Sequence, residues 1–220
     1  DNIVRRFGGM TAVNVDHLEV QRGAITALIG PNGAGKTTFF NLITGFDKPS
    51  SAKKLFGGPS PAEAAKWSFD GRTLGNTAAS KVARAGMVRT FQLTKALSLL
   101  TVLENMKLGA PKQKGEKFWA SFVPALWRGQ EEANEEKARG LLTRFKLDAK
   151  EKDFAASLSG GQRKLLEMAR ALMSDPNLVM LDEPMAGVNP ALTQSLLDHI
   201  LDLKDLGVTV LFVEHDMHMV

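Results

Sequence analysis

The sequence predicts an α/β protein built on a parallel sheet, and three observations carry that expectation. Short, continuous apolar runs at residues 24–30 (AITALIG), 178–184 (LVMLDEP) and 208–215 (VTVLFVEH) read as strands buried on both faces, as a parallel sheet covered by helices requires. Helical patterns lie between these runs. A glycine-rich turn leaves the first run and opens a helix, the kind of place where such sheets collect ligands.

In chain order, residues 11–23 (TAVNVDHLEVQRG) alternate loosely and read as an antiparallel strand beside the core. A helix begins near Lys36 (KTTFFNLITG) and stops at Gly45. Residues 50–65 are rich in small residues, Gly and Pro and read as a surface loop insertion, followed by a strand and turn at KWSFDG. Residues 93–157 are polar, helix-forming and punctuated by Pro111 and Pro124, which marks a separate helical subdomain. A further helix opens near Ser159, with Leu165, Met168, Ala169 and Leu172 on its apolar face and Arg163, Lys164, Glu167 and Arg170 on its wet one. The last helix is well bounded: Asn189 can cap it, Pro190 suits its first position and Gly207 can close it. Leu192, Leu196, Ile200 and Leu203 form its apolar stripe. The expected division is therefore 1–92, 93–157 and 158–220, with the first and third segments sharing one core.

Composition narrows the function. With 28 Lys+Arg against 24 Asp+Glu, the net charge of +4 is mild and its bases are scattered, so nothing requires a nucleic-acid partner. There is no cysteine, which excludes a disulfide framework and a thiolate metal site and suits a reducing cytosol. No apolar run approaches the roughly 20 residues of a membrane span, and DNIVRRFGG lacks the apolar stretch of a secretory signal. The chain opens without Met and ends at HDMHMV just after a strand, as expected of a fragment.

The motif GPNGAGKT, Gly30 to Thr37, fits G-x-x-x-x-G-K-[ST] between a strand and a helix. Gly33 and Gly35 let backbone N–H groups turn inward, and the helix N-terminus favours phosphate. Pro31, Asn32, Ala34 and Thr38 complete the cradle. Lys36 is placed to reach the β- and γ-phosphates, and the Thr37 hydroxyl to bind Mg²⁺. Asp182 and Glu183 end a buried strand, where a carboxylate pair is costly without a cation or protons to handle. Asp182 is the natural ligand, through water, for the Mg²⁺ held by Thr37, and Glu183 is free to orient and deprotonate an attacking water. The helix opened by Ser159, Gly160 and Gly161 is a second anion site, but it has no companion Lys and no metal-ligating hydroxyl. It can only complete a site built elsewhere. His215 and His218 stand at i,i+3, yet without Cys or a third ligand they do not make a zinc site.

Taken in order, GPNGAGKTT, TFQ, LSGGQ, LVMLDEP and EHD resemble an ATP-binding cassette (ABC) ATPase across nearly the whole chain, residues 50–65 excepted. The resemblance implies a P-loop NTPase (RecA-like) core with an N-terminal antiparallel β subdomain and an inserted helical subdomain. It also implies a head-to-tail dimer that sandwiches two ATP molecules, each meeting the phosphate loop of one subunit and Ser159, Gly161 and Gln162 of the other. In that pattern Gln92 senses Mg²⁺ and the attacking water, Glu183 is the catalytic base, His215 contacts the γ-phosphate and Phe7 stacks on adenine. VRTFQLTKALSLLTVLENM, with the stretch from LSGGQ to AGVNP, is similar to the ATPase subunits of branched-chain amino-acid importers; Asn189 stands where many ABC proteins carry Asp. ATPases of lipopolysaccharide export and of urea or amide import are the related alternatives, and a non-transport ABC protein is a more distant one. The implied partners are a second ABC ATPase subunit, transmembrane permease subunits and, indirectly, a substrate-binding protein. Residues 93–106 are the expected permease contact, and the aromatic stretch 118–127 is read as buried within the helical subdomain.

Overall fold

In the computed structural model the described residues are 1–50, 65–75, 77–90, 97–113, 115, 123 and 127–215, without the side chains of Pro190 and Ala191. The chain divides into two compact units, Asp1–Arg89 with Asn177–Pro184 and Leu203–Val220, and Thr90–Pro176 with Met185–Asp202.

The first unit opens with β1 (Ile3–Phe7) and β2 (Met10–Val15), an antiparallel pair whose register shifts between Arg5 and Arg6. A second sheet has the order β3-β8-β7-β6, all parallel: β3 (Ile25–Ile29), β6 (Met87–Arg89), β7 (Leu178–Asp182) and β8 (Thr209–Glu214). β7 and β8 are buried throughout, as their apolar runs require. β3 differs from the sequence expectation. Among the described residues it has a strand neighbour on one side only, and its residues are half-buried, with Ile29 41% exposed. β6 had no counterpart in the sequence reading, because three residues are too few for a period to show. Helix α1 (Lys36–Ile43) buries Phe39, Phe40, Leu42 and Ile43 in a core with Ile3, Val13, Met87, Met180 and Val213. Fully buried Phe40 alone contributes about 1.5–3 kcal/mol of transfer free energy. β4 (Ser68–Phe69) and β5 (Arg72–Thr73) form a hairpin, β4 and its turn matching the strand and turn expected at KWSFDG, and α2 (Ala79–Arg84) precedes β6.

In the second unit α3 (Val102–Lys107), α4 (Arg128–Arg144) and α5 (Gly160–Leu172) pack against one another. Thr101 and Glu104 form a capping box on α3, and the hydrogen bonds from the Thr101 backbone and hydroxyl hold the exposed Glu104 carboxyl below its ordinary pKa. Buried Asn105 takes the Leu97 N–H on Oδ1 at 2.8 Å and donates to the Leu97, Leu100 and Thr101 carbonyls, which pins the segment before α3. On α5 the apolar face is as expected, but Glu167 is buried at 6% exposure rather than wet. At about 100° per residue position 167 lies opposite the Leu165, Ala169 and Leu172 stripe, but Arg163, Lys164 and Arg170 on that side are half-buried as well, so the expected wet side of α5 is itself covered.

Helix α6 (Pro190–Asp205) begins where Asn189 Oδ1 accepts the Leu192 N–H at 2.9 Å and is followed by Gly207 in the left-handed region. Its Leu196, Ile200 and Leu203 are buried. His199 is 4% exposed and stacks on Phe145 with ring centroids 4.7 Å apart. Among the described residues neither of its ring nitrogens has a hydrogen-bond partner; Asp202 Oδ2 is 3.6 Å from Nδ1. Burial lowers the His199 pKa against the raising effect of Asp202 and Asp198, with Lys146 adding to the lowering. An imidazole held below its ordinary value near 6.5 binds fewer protons folded than unfolded. Its stability contribution is complete above that pH and is lost as pH falls below it, toward the folded pKa. Urea midpoints at pH 8 and pH 5.5 should therefore differ, and His199→Leu should flatten the difference. An equal pH dependence in the variant would locate it elsewhere.

Candidate functional site

The loop between β3 and α1 turns through Gly33 (φ +82°) and Gly35 (φ +84°). Gly35 is fixed twice over, because a Cβ there would lie 2.0 Å from the Ala12 carbonyl oxygen and φ is already unfavourable for any other residue. Gly35→Ala should lower stability by about 2 kcal/mol or more and displace Lys36, which thermal unfolding and nucleotide titration would register together. Lys36 is 8% exposed, and its ammonium donates to the Gly30 and Pro31 carbonyls at 2.5 and 2.8 Å. It thus sits inside the loop, while Pro31, Asn32, Gly33 and Ala34 are exposed around it. Thr37 and Thr38 follow in the first turn of α1, half-buried.

Parallel register brings the other candidates to the same end of the sheet. Ile29 pairs with Glu214 and Asp182 with Val213, and the Gly30 N–H donates to the Glu214 carbonyl at 3.3 Å. The Thr37 hydroxyl donates to Asp182 Oδ1 at 3.1 Å. Glu183, the next residue, has φ +49°, a conformation that costs a non-glycine residue about 1 kcal/mol, and its N–H donates to the Val213 carbonyl at 3.0 Å. His215 closes β8 with its side chain 40% exposed and Nδ1 3.8 Å from Glu214 Oε2. Phe7, 48% exposed, ends β1 with the Arg5 guanidinium 4.6 Å from its ring centroid. Gln92 and His218 lie outside the described residues.

Ser159, Gly160, Gly161 and Gln162 belong to the second unit. The Ser159 hydroxyl accepts the Gln162 N–H at 3.2 Å and Gln162 Oε1 accepts the Ser159 N–H at 2.9 Å, a reciprocal cap that leaves Ser159 and Gly160 exposed. Gly161 is pressed against Leu192, whose Cδ2 would lie 1.6 Å from an added Cβ.

The sequence reading missed Arg89 and Asn41. A buried Asp182 at a strand end demands a cation, and Arg89 supplies it: Nη2 donates to Asp182 Oδ2 at 2.6 Å while Nη1 donates to Asn41 Oδ1 at 2.6 Å. The signal was a lone Arg inside the apolar stretch GMVRTF.

The Thr37 hydroxyl and Asp182 carboxylate are hard oxygen donors held together at the helix N-terminus, a set that fits Mg²⁺ shared with phosphate oxygens. A cavity of about 240 Å³ lined by Ile3, Phe39, Ile43, Trp67, Phe69 and Leu211 contains none of the phosphate-loop residues.

A buried lysine inside a glycine-turned loop, at the start of a helix and beside a strand-end carboxylate, defines a phosphate-loop nucleotide-binding protein. The pattern of the ABC transporter family matches residues 13–186, and the chain belongs to that family as its ATP-binding cassette, an ATPase. It is similar to a probable branched-chain amino acid transport ATP-binding protein of Archaeoglobus fulgidus, 42% identical over 219 residues, covering 100% of this chain and 79% of the relative. The high-affinity branched-chain amino acid transport ATP-binding protein of Escherichia coli K12 is 36% identical over 223 residues, covering 100% of this chain and 82% of its own. A crystal structure of the ADP conformation of an ATP-binding cassette of an ABC transporter matches with TM-score 0.80 and 37% identity, over 99% of this chain and 80% of that one. A nucleotide-free cassette from an ABC transporter matches with TM-score 0.79 and 36% identity, over 100% and 81%.

Proposed function

We propose that the chain is the ATP-hydrolysing subunit of an importer of branched-chain amino acids. The observation that supports this most is identity of 36–42% along the whole chain to relatives named for that transport. Lys36 and the phosphate-loop backbone hold the β- and γ-phosphates, and Thr37 and Asp182 hold Mg²⁺, with Gln92 as a further ligand. Bound there, Mg²⁺ neutralises charge developing on the phosphate oxygens. Glu183 takes the proton of the attacking water, His215 contacts the γ-phosphate, and Phe7 stacks on adenine. Ser159, Gly160, Gly161 and Gln162 act on ATP held by a second cassette, a copy of this chain or a related subunit.

No helix among the described residues is long and apolar enough to cross a membrane. In this reading the subunit works on the cytoplasmic face of separate permease chains, with a substrate-binding protein on the far side. The permease contact includes the segment clipped by Asn105. There Leu97, Leu99 and Phe154 are exposed, Leu99 by 85%, and Thr101 bridges Phe154. The stretch 118–127, read from sequence as buried, lies largely outside the described residues.

Proteoliposomes containing this chain and its membrane subunits should take up leucine in an ATP-dependent manner, and Lys36→Ala should abolish that uptake. ATP-dependent uptake of another solute with no competition from leucine, isoleucine or valine would overturn the substrate assignment and leave the ATPase standing.

A further inference from the structure

Arg89 and Asp182 are the most deeply buried ion pair among the described residues, with side chains 4% and 1% exposed. Their geometry divides the Asp182 carboxylate between two tasks: Oδ1 accepts the Thr37 hydroxyl at 3.1 Å, and Oδ2 accepts Arg89 at 2.6 Å. The guanidinium is itself held on two further sides. Asn41 Oδ1 on α1 accepts its second nitrogen at 2.6 Å, and its central carbon lies 5.5 Å from the centroid of the Phe40 ring. A planar fork anchored in this way fixes the direction of the carboxylate, which a flexible ammonium on a longer stem would not do.

We propose that Arg89 is a positioning residue for the metal side of the site. It turns Asp182 so that Oδ1 faces Thr37, and Asn41 completes the clamp from the same helix that carries Lys36 and Thr37. The inference rests on the reading of Asp182 as the carboxylate on the metal side.

The test uses the full chain with a non-hydrolysable ATP analogue. Mn²⁺ affinity is read by electron paramagnetic resonance, and analogue affinity is read separately in EDTA. Arg89→Met should weaken Mn²⁺ binding by about tenfold or more, with Arg89→Lys recovering part of the loss and Asn41→Ala showing a smaller loss in the same direction. Analogue affinity in EDTA should stay within about twofold of the unsubstituted chain. Should Arg89→Met fail to fold, Arg89→Lys and Asn41→Ala carry the test. Asp182→Asn tests the underlying reading, and in that background Arg89→Lys should have no further effect on Mn²⁺. If Asp182→Asn weakens Mn²⁺ binding but Arg89→Lys and Asn41→Ala leave it unchanged, Arg89 has no positioning role. Losses of equal size with Mn²⁺ and in EDTA would make its role merely structural. If Asp182→Asn itself leaves Mn²⁺ binding intact, the assignment of Asp182 fails first.

Discussion

Replacing Glu183 by Gln should slow ATP hydrolysis by about 10²-fold or more while leaving ATP affinity within about twofold, because a positioned general base supplies about 10²–10⁴ in rate. The structure gives a physical reason to look at this residue. Its backbone is held at φ +49° by the N–H bond to Val213, at the end of a strand whose preceding residue is the buried Asp182. Strain of about 1 kcal/mol at a strand end is retained when it aims a side chain. Gln keeps the shape and the hydrogen-bonding reach of Glu but cannot accept the proton at the needed pKa. Single-turnover hydrolysis and equilibrium nucleotide binding, measured on the same preparation, separate the two effects. Turnover within a few-fold of the unsubstituted chain would remove Glu183 from the role of base.

The second large effect concerns which molecule each half-site serves. A mixed dimer with Ser159→Arg in one subunit and Lys36→Ala in the other places both lesions on one ATP under the proposed trans arrangement. The second ATP keeps an intact phosphate loop and an intact Ser159–Gln162 turn. That dimer should retain about half of the activity, whereas both substitutions in one subunit beside an unsubstituted partner should spoil both sites and lower activity by about 10²-fold. Ser159→Arg also removes a helix cap, at a cost of about 1 kcal/mol, so thermal unfolding accompanies the assay. Equal activities in the two pairings, or the reverse order, would refute the trans assignment.

Much of this was legible in the sequence because the elements concerned are set by local rules. β7 and β8 are continuous apolar runs, α6 carries its own cap and closing glycine, and Asp70–Gly71 between two short strands makes the β4–β5 turn. The phosphate loop was legible for the same reason: Gly35 is required both by its φ and by the closeness of Ala12, and the motif spells that requirement out. What escaped notice depends on distant partners. Arg89 meets Asp182 across 93 residues of chain, on a strand too short to show a period. Glu167 reads as wet because it shares a face with Arg163, Lys164 and Arg170, and only the folded chain shows that this face of α5 is covered too. β3 reads like a fully buried strand, but among the described residues it pairs on one side only and is half-buried, which depends on sheet order and not on its own residues. His199 gave no signal at all, since a histidine on an amphipathic helix is unremarkable until Phe145 is seen stacked on it.

Light scattering on the Glu183→Gln chain reads whether the turn at Ser159 completes an ATP site on another cassette. With ATP the mass should double from that of one chain, and it should stay at one chain without nucleotide or when Lys36→Ala is added. A mass that remains at one chain with ATP saturating the phosphate loop would contradict the account.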